Sequence, residues 1–141
     1  MRQLDSFEGS VDAIIGFWDF PVTIMVPLLC QRLGGLCCAS LEAVVKCEHK
    51  YWSRLEQQKV IEEYPRFGLV DPERDREPPP GMSYPMWIKP VKSFSSYLAF
   101  KMVNQQEFQD ALAQIRAGIG WVGAPFGTVL EATATAARPT R

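Results

Sequence analysis

A lysine and a group of serines within residues 84–102 are the side chains best suited to binding chemistry. Residues 84–89, Tyr-Pro-Met-Trp-Ile-Lys, alternate apolar residues with other types, which is typical of a strand that ends at Lys89. Pro90 has no amide proton, so the strand pairing is predicted to stop there. The polar turn that follows contains Ser93, Ser95 and Ser96. Because ammonium, hydroxyl and backbone amide groups all bind phosphate, this stretch predicts a phosphate site.

The elements predicted to hold this turn are a second strand and a capped helix. The strand covers residues 96–103, which are rich in strand-forming side chains. Asn104 and Glu107 then have the spacing of a capping box. The helix after them is expected to end at Gly118 and Gly120, before a turn over residues 123–131. Its apolar face consists of Phe108, Ala111, Leu112, Ile115 and Ile119.

A second candidate cation, Lys50, lies in a predicted helix that begins after Ser40 and continues to about residue 60. A lysine here could reach the same phosphate as Lys89 only if the fold brings the two segments together. Lys46 and Lys59 are nearby alternatives for the same role.

Other conspicuous side chains have simpler interpretations. Lys92 is expected to be a solvated loop lysine rather than a third phosphate contact. His49 is a poor catalytic candidate, because no serine or cysteine nucleophile with an orienting acid accompanies it. Packing positions, rather than contacts to a ligand, are predicted for Tyr51, Trp52, Trp87, Phe108 and Leu112.

The N-terminal part is predicted to form half of a βαβ unit. Residues 11–19 form a short apolar run that predicts a buried strand, and residues 23–33 predict a helix that stops at Gly34-Gly35. Further along, residues 66–71 predict a short strand, and the charged, proline-rich segment 72–81 predicts an exposed loop without packed structure.

Composition excludes several functional classes. The formal net charge is −1, which predicts no basic surface for nucleic acid. The longest apolar run, residues 20–30, is too short for a membrane span and contains prolines. The first residues carry acids and lack the apolar core of a signal peptide, so we expect a cytoplasmic protein.

The four cysteines do not have the spacing of a disulfide framework. They lie among apolar residues, so buried, reduced thiols are the first expectation. A zinc site made of Cys37, Cys38, Cys47 and His49 is the alternative, although no Cys-x-x-Cys pair supports it.

The motif Tyr84-Pro-Met-Trp-Ile-Lys89-Pro resembles the "YP-x-x-x-KP" strand of the ATP-grasp ligases. In that family the strand's lysine contacts the ATP phosphates, and a loop, a strand and a capped helix follow. An upstream helix carries another ATP-contacting lysine, and here Lys50 is at the corresponding place. The resemblance covers residues 11–131, and biotin-carboxylase-like and carbamoyl-phosphate-synthase-like enzymes are the most similar members. The loop departs from the pattern, because it is Ser-Phe-Ser-Ser rather than glycine-rich.

The resemblance implies an α/β (α+β) fold: the end of a Rossmann-like α/β domain, then the first part of the small ATP-grasp subdomain. The implied segments are the domain remnant 1–39, a connecting helix and strand 40–71, a proline-rich loop 72–82, the partial subdomain 83–131 and a disordered tail 132–141. The magnesium-binding acids and catalytic arginine of the family would follow residue 131, so this chain is expected to be a fragment.

The implied function is ATP binding in a ligase that activates a carboxylate as an acyl phosphate for attack by an amine or a thiol. The implied nucleotide contacts are Lys50, Lys89, Ser93, Ser95 and Ser96. Mg²⁺ is expected in the whole family, but its ligands are absent from this sequence, so the chain alone is not expected to catalyse the reaction. Expected partners are a nucleotide and a small carboxylate, with self-association through an incomplete sheet and without nucleic acid or membrane. The alternative is a non-catalytic α/β interaction module or a degenerate ATP-grasp relative.

Overall fold

The computed structural model describes residues 2–136, with side chains for residues 3, 4 and 6–131. These residues form a small, helix-rich α+β structure with a two-stranded antiparallel sheet. The chain divides into two compact units, unit 1 up to Val44 and unit 2 from Val45 onward. The elements are α1 (Arg2–Asp5), α2 (Val22–Arg32), α3 (Leu41–Glu48), α4 (Lys50–Gln57), β1 (Met86–Ile88), β2 (Phe100–Met102), α5 (Gln105–Gly118) and α6 (Gly120–Ala136).

Unit 1 is built around α2, which confirms the helix predicted over residues 23–33. The predicted strand over residues 11–19 is wrong, because this segment is irregular. Most of its apolar side chains are exposed, with 84% of Ile15 and 92% of Phe17 accessible to solvent. A strand needs a neighbour for its backbone hydrogen bonds, and no strand among the described residues of unit 1 provides one.

The long helix predicted from Ser40 is two helices. Ser40 caps α3 as predicted, since its Oγ accepts a hydrogen bond from the Ala43 amide at 3.1 Å. The helix then breaks at His49, which is extended and begins α4. His49 Nδ1 accepts a hydrogen bond from the Trp52 amide at 3.3 Å, so a histidine serves as the cap of the second helix.

The sheet and α5 form the core of unit 2. The register pairs Met86 with Met102 and Ile88 with Phe100. The inner face of the hairpin packs on α5, and the buried cluster is Met86, Met102, Phe108, Ala111 and Leu112. The predicted cap of α5 is confirmed, since Asn104 Oδ1 accepts a hydrogen bond from the Glu107 amide at 2.9 Å. The Glu107 carboxylate in turn accepts one from the Val103 amide at 2.9 Å.

The segment between α4 and β1 is irregular, so the strand predicted over residues 66–71 is wrong. The proline-rich loop has no regular structure, as predicted, but it is fixed to α5 rather than loose. Arg116 Nη1 donates to the Pro72 carbonyl at 2.6 Å, and Gln105 Nε2 donates to the Arg76 carbonyl at 2.6 Å. Both bonds run from α5 side chains to backbone carbonyls of the loop, so the side chains of the loop contribute little to these contacts.

Helix α6 is the largest difference from the sequence-based expectation. A turn was predicted over residues 123–131 and a tail from residue 132, but the helix runs to Ala136. Val122 and Phe126 are spaced at i and i+4 and are 1% and 3% exposed, so their burial outweighs the weak helix propensity of the glycines and of Pro125. Residues 137–141 of the predicted tail lie outside the described residues.

Within residues 2–136, none of the helices has the length and apolar character that a membrane crossing requires.

Candidate functional site

Unit 2 brings two distant segments together, residues 48–50 and residues 91–93. The Lys50 amide donates to the Val91 carbonyl at 2.8 Å. The Lys50 ammonium group donates to the Ser93 carbonyl at 2.6 Å. Two of the residues implied as nucleotide contacts, Lys50 and Ser93, are therefore in direct contact although 43 positions separate them.

Lys50 occupies this place because it is the first residue of α4. His49 leaves the helical conformation, so the Lys50 amide points away from an intrahelical acceptor and pairs with the loop instead. The Lys50 side chain reaches the same loop, since its Nζ donates to the Ser93 carbonyl. The break at His49 therefore lets the Lys50 amide bond to the loop rather than within a helix.

Lys92 does not face solvent as the sequence predicted. Its side chain is 4% exposed, and its Nζ lies 2.5 Å from Glu48 Oε2, in a carboxylate side chain that is 12% exposed. This pair is a second tie between the same two segments. Because the largely buried Glu48 carboxylate neutralises its charge, Lys92 is a structural cation here. Glu48 is a residue that the sequence analysis missed.

We call residues 91–98 the serine loop. Ser95, Ser96 and Leu98 have φ values of 48°, 58° and 56°, in the left-handed region that favours glycine. Ser93 is buried, whereas Ser95 and Ser96 are exposed. The loop therefore presents two hydroxyl groups to solvent from a strained backbone, and it uses the Ser93 carbonyl to bind Lys50.

The other side of the serine loop is held by the junction between α5 and α6. Phe94 and Tyr97 pack edge-on against Trp121, with ring centroids 5.5 and 5.4 Å apart. The Tyr97 hydroxyl donates to the Gly118 carbonyl at 2.9 Å. The phenylalanine that departs from the glycine-rich pattern of the family, Phe94, is thus used for packing. The loop is consequently anchored at both ends.

Lys89 follows β1 directly and is exposed. Burial alternates along the strand, so Lys89 shares the outer face of the sheet with Trp87, which is 65% exposed. Trp87 is therefore not a core residue as predicted, whereas Phe108 and Leu112 are. Lys101 lies opposite Trp87 in the register and is exposed as well. The outer face thus carries two lysines beside an indole ring, and only the hairpin register reveals Lys101.

His49 is a packing and capping residue. Its ring stacks on Trp52 at a centroid distance of 4.1 Å and lies 6.2 Å from the ring of Phe126. Burial lowers the pKa of His49, and the neighbouring charge of Lys50 lowers it further. A neutral imidazole is what the capping role requires, because its Nδ1 accepts the Trp52 amide proton.

Three of the four cysteines, Cys37, Cys38 and Cys47, are exposed, so the expectation of buried thiols holds only for Cys30. Among the residues that the structure describes, no group of three or more His, Cys, Asp or Glu side chains could hold a metal ion. The alternative zinc site at these cysteines and His49 is therefore not formed in the described part of the chain.

A separate, open cavity of about 290 Å³ lies between the segment after α4 and the end of the proline-rich loop. Tyr64, Phe67 and Met82 give it an apolar lining, and Arg66 contributes a charge. None of the residues implied as nucleotide contacts lines this cavity.

No protein-family model, no curated protein and no solved structure matches this chain.

Proposed function

We propose that unit 2 binds the triphosphate of ATP with Lys50, Lys89 and the serine loop. The observation that carries the proposal is the contact between Lys50 and the loop, in which both the amide and the ammonium group of Lys50 bond to residues 91–93. Val91 is only two residues after Lys89, so both lysines are tied to one short stretch of chain. Two lysines from different elements beside an exposed serine turn are suited to neutralise a triphosphate.

The outer face of the sheet supports the same proposal. Lys89 is exposed there, and within the described residues its ammonium group has no hydrogen-bond or ion-pair partner. Lys101 adds a second positive charge, and Trp87 presents an aromatic ring next to it. The hydroxyl groups of Ser95 and Ser96 are available as neutral donors. An anion with an aromatic base, such as ATP, matches this combination of groups.

The proposed reaction context is that of ATP-grasp carboxylate ligases, in which ATP activates a carboxylate as an acyl phosphate. The described residues contain no group suited to a metal ion, so we derive no step through Mg²⁺. Binding and charge neutralisation are the roles that we assign to this chain's own residues.

A non-catalytic interaction module is the second candidate, and a specific observation favours it. Lys50 and Lys92 both bond within the fold, one to a carbonyl and the other to a carboxylate, so both cations serve to fix the serine loop. In this interpretation the loop has a structural role and binds no ligand. Each strand is paired on one side only within the described residues, and the open sheet edges would recruit a second copy of the chain.

Titration of the full chain with ATP by isothermal calorimetry separates these candidates. We expect millimolar or tighter binding, and we expect Lys89→Ala to weaken it by about 10- to 100-fold, because charge-assisted hydrogen bonds contribute about 1.5–3 kcal/mol. Lys50→Met, which keeps the aliphatic stem, is expected to weaken binding as well. Its near-ultraviolet circular dichroism should be recorded to show that the loop packing persists.

Lys59→Ala is the matched control, because it removes the same charge from an exposed side chain beyond α4. Equal losses in Lys59→Ala and Lys89→Ala would mean unspecific attraction and would refute the site. Unchanged ATP affinity in Lys89→Ala would refute it too. Absence of ATP binding together with dimerisation in sedimentation experiments would favour the interaction module.

A further inference from the structure

The cavity between the segment after α4 and the end of the proline-rich loop has two walls that are anchored separately in unit 2. The first wall contains Phe67, whose ring packs edge-on against Tyr51 of α4 at a centroid distance of 5.6 Å. The Tyr64 ring packs edge-on against Phe67 in turn, with the centroids 6.3 Å apart. Aromatic contacts that begin on α4 therefore hold this wall in place.

The second wall is the turn over residues 79–82. The Met82 amide donates to the Pro79 carbonyl at 3.1 Å, and Gly81 has a φ of 81°, in the left-handed region that favours glycine. The Met82 side chain packs against the buried cluster that the hairpin and α5 form. The core of unit 2 therefore anchors this wall.

Gly68 is where the two walls touch. A Cβ atom on Gly68 would lie 2.8 Å from Pro79 Cβ and 2.9 Å from Pro79 Cγ, closer than side chains pack. The missing side chain at this position thus lets the first wall lie directly against the turn. Phe67 and Pro80, the neighbours of the two touching residues, both line the cavity of about 290 Å³. Packing of the two walls therefore sets the shape of the cavity.

The lining combines aromatic surface with groups that bind anions. Arg66 brings a positive charge, and in the part of the chain that the structure describes its guanidinium group has no hydrogen-bond or ion-pair partner. Gln58 and Tyr64 contribute an amide and a hydroxyl group, which can also donate hydrogen bonds. Among the described residues that line the cavity, none is acidic, so the charge of Arg66 attracts an anion there.

We propose that this cavity binds a small carboxylate that carries one aromatic ring. The ring packs against Phe67 and Met82, and the carboxylate accepts paired hydrogen bonds from the Arg66 guanidinium group. One arginine balances one negative charge, which favours a carboxylate over a phosphate group with its charge of about −1.5 to −2. The volume is at the lower end of the range of ligand pockets, about 300–1,000 Å³, so a single ring with a short chain matches it. The site is independent of the proposed ATP site, since none of the proposed nucleotide contacts lines this cavity.

The test titrates the full chain with phenylpropionate and follows the backbone amide shifts by two-dimensional NMR. We expect millimolar or tighter binding, with the largest shifts in the two walls, residues 58–68 and 79–82. Phenylpropanol has the same ring without the charge, and it should bind at least about 10-fold more weakly because it lacks the charge-assisted hydrogen bonds to Arg66. Propionate has the charge without the ring, and it should also bind more weakly than phenylpropionate because it buries less apolar surface.

Arg66→Gln should weaken phenylpropionate binding by about 10-fold or more and leave phenylpropanol binding unchanged, since only the carboxylate uses the guanidinium group. Arg74→Gln is the matched control, because it removes the same charge from an exposed side chain that does not line the cavity. Equal losses of phenylpropionate affinity in the two variants, equal affinities of the wild-type chain for phenylpropionate and phenylpropanol, or largest shifts outside the two walls would each overturn the proposal.

Discussion

The buried ion pair between Glu48 and Lys92 gives the sharpest prediction. Its N–O distance is 2.5 Å, and its side chains are 12% and 4% exposed. Coulomb's law with an effective dielectric constant of about 20 gives roughly 6–7 kcal/mol of gross attraction at this distance. Desolvation opposes most of this, and removing one partner of a buried pair costs about 3–5 kcal/mol. Because glutamine still offers a carbonyl oxygen to the ammonium group, we expect Glu48→Gln to lower the free energy of unfolding by about 3 kcal/mol.

Urea unfolding followed by tryptophan fluorescence measures this effect. With an m value of about 1–1.5 kcal/mol/M, the unfolding midpoint should fall by about 2–3 M. Glu56→Gln is the control, because the pair of Glu56 and Lys59 has exposed side chains and should contribute less than about 0.5 kcal/mol. The double variant Glu48→Leu with Lys92→Met should recover most of the loss, since no buried charge then remains. Similar costs for Glu48→Gln and Glu56→Gln would refute the burial of the pair.

Two further predictions concern His49 and Gly118. Burial lowers the pKa of His49, so as the pH falls the unfolded chain takes up a proton near pH 6.5, before the folded chain does. The free energy of unfolding should therefore be at its full value above about pH 6.5 and decrease below it. The control is His49→Asn, which keeps a capping side chain but has no titrating ring. Urea unfolding midpoints of both proteins are measured over about pH 5–6.5. A decline of the same size in His49→Asn would show that His49 is not the group responsible. Gly118→Ala would place a Cβ 2.9 Å from the Tyr97 hydroxyl, so we expect a loss of about 1–2 kcal/mol despite the better helix propensity of alanine. Gly127→Ala on α6 should instead gain about 0.5–1 kcal/mol, because among the described residues the new Cβ meets nothing within 4 Å apart from its chain neighbours and the adjacent helix backbone. Equal effects of the two substitutions on the thermal midpoint would disprove the close packing at Gly118.

The candidate site was only partly predictable. Lys50, Lys89 and the serines were predicted from residue type and from the resemblance to ATP-grasp ligases. The structure places Lys50 in contact with the Ser93 carbonyl, and the binding role of these residues stays a prediction. The predicted environment of Lys92 was wrong, and its partner Glu48 was missed. An ion pair between residues 44 positions apart has no periodicity, so nothing local distinguishes its members from solvated charges.

The sequence by itself determined the elements that depend on residues close together in the chain. The stop after α2, the cap at Ser40 and the cap and apolar face of α5 depend on residues within one or two helical turns, so local chemistry specifies them. The hairpin strands follow equally from alternation over a few residues, although the paired segments are shorter than predicted.

Only the tertiary structure decided the features that depend on distant neighbours. Residues 11–19 have strand-like composition, but they pair with no strand in the part of the chain that the structure describes. Residues 120–136 form a helix because Val122 and Phe126 are buried. The helix break at His49 is one such feature. The hydrogen bond and the ion pair that join residues 48–50 to the serine loop are others. Hydrogen bonding and burial between residues far apart in the sequence depend on the whole fold. The residue pattern can therefore predict candidate site residues, but only the packing determines which of them lie together.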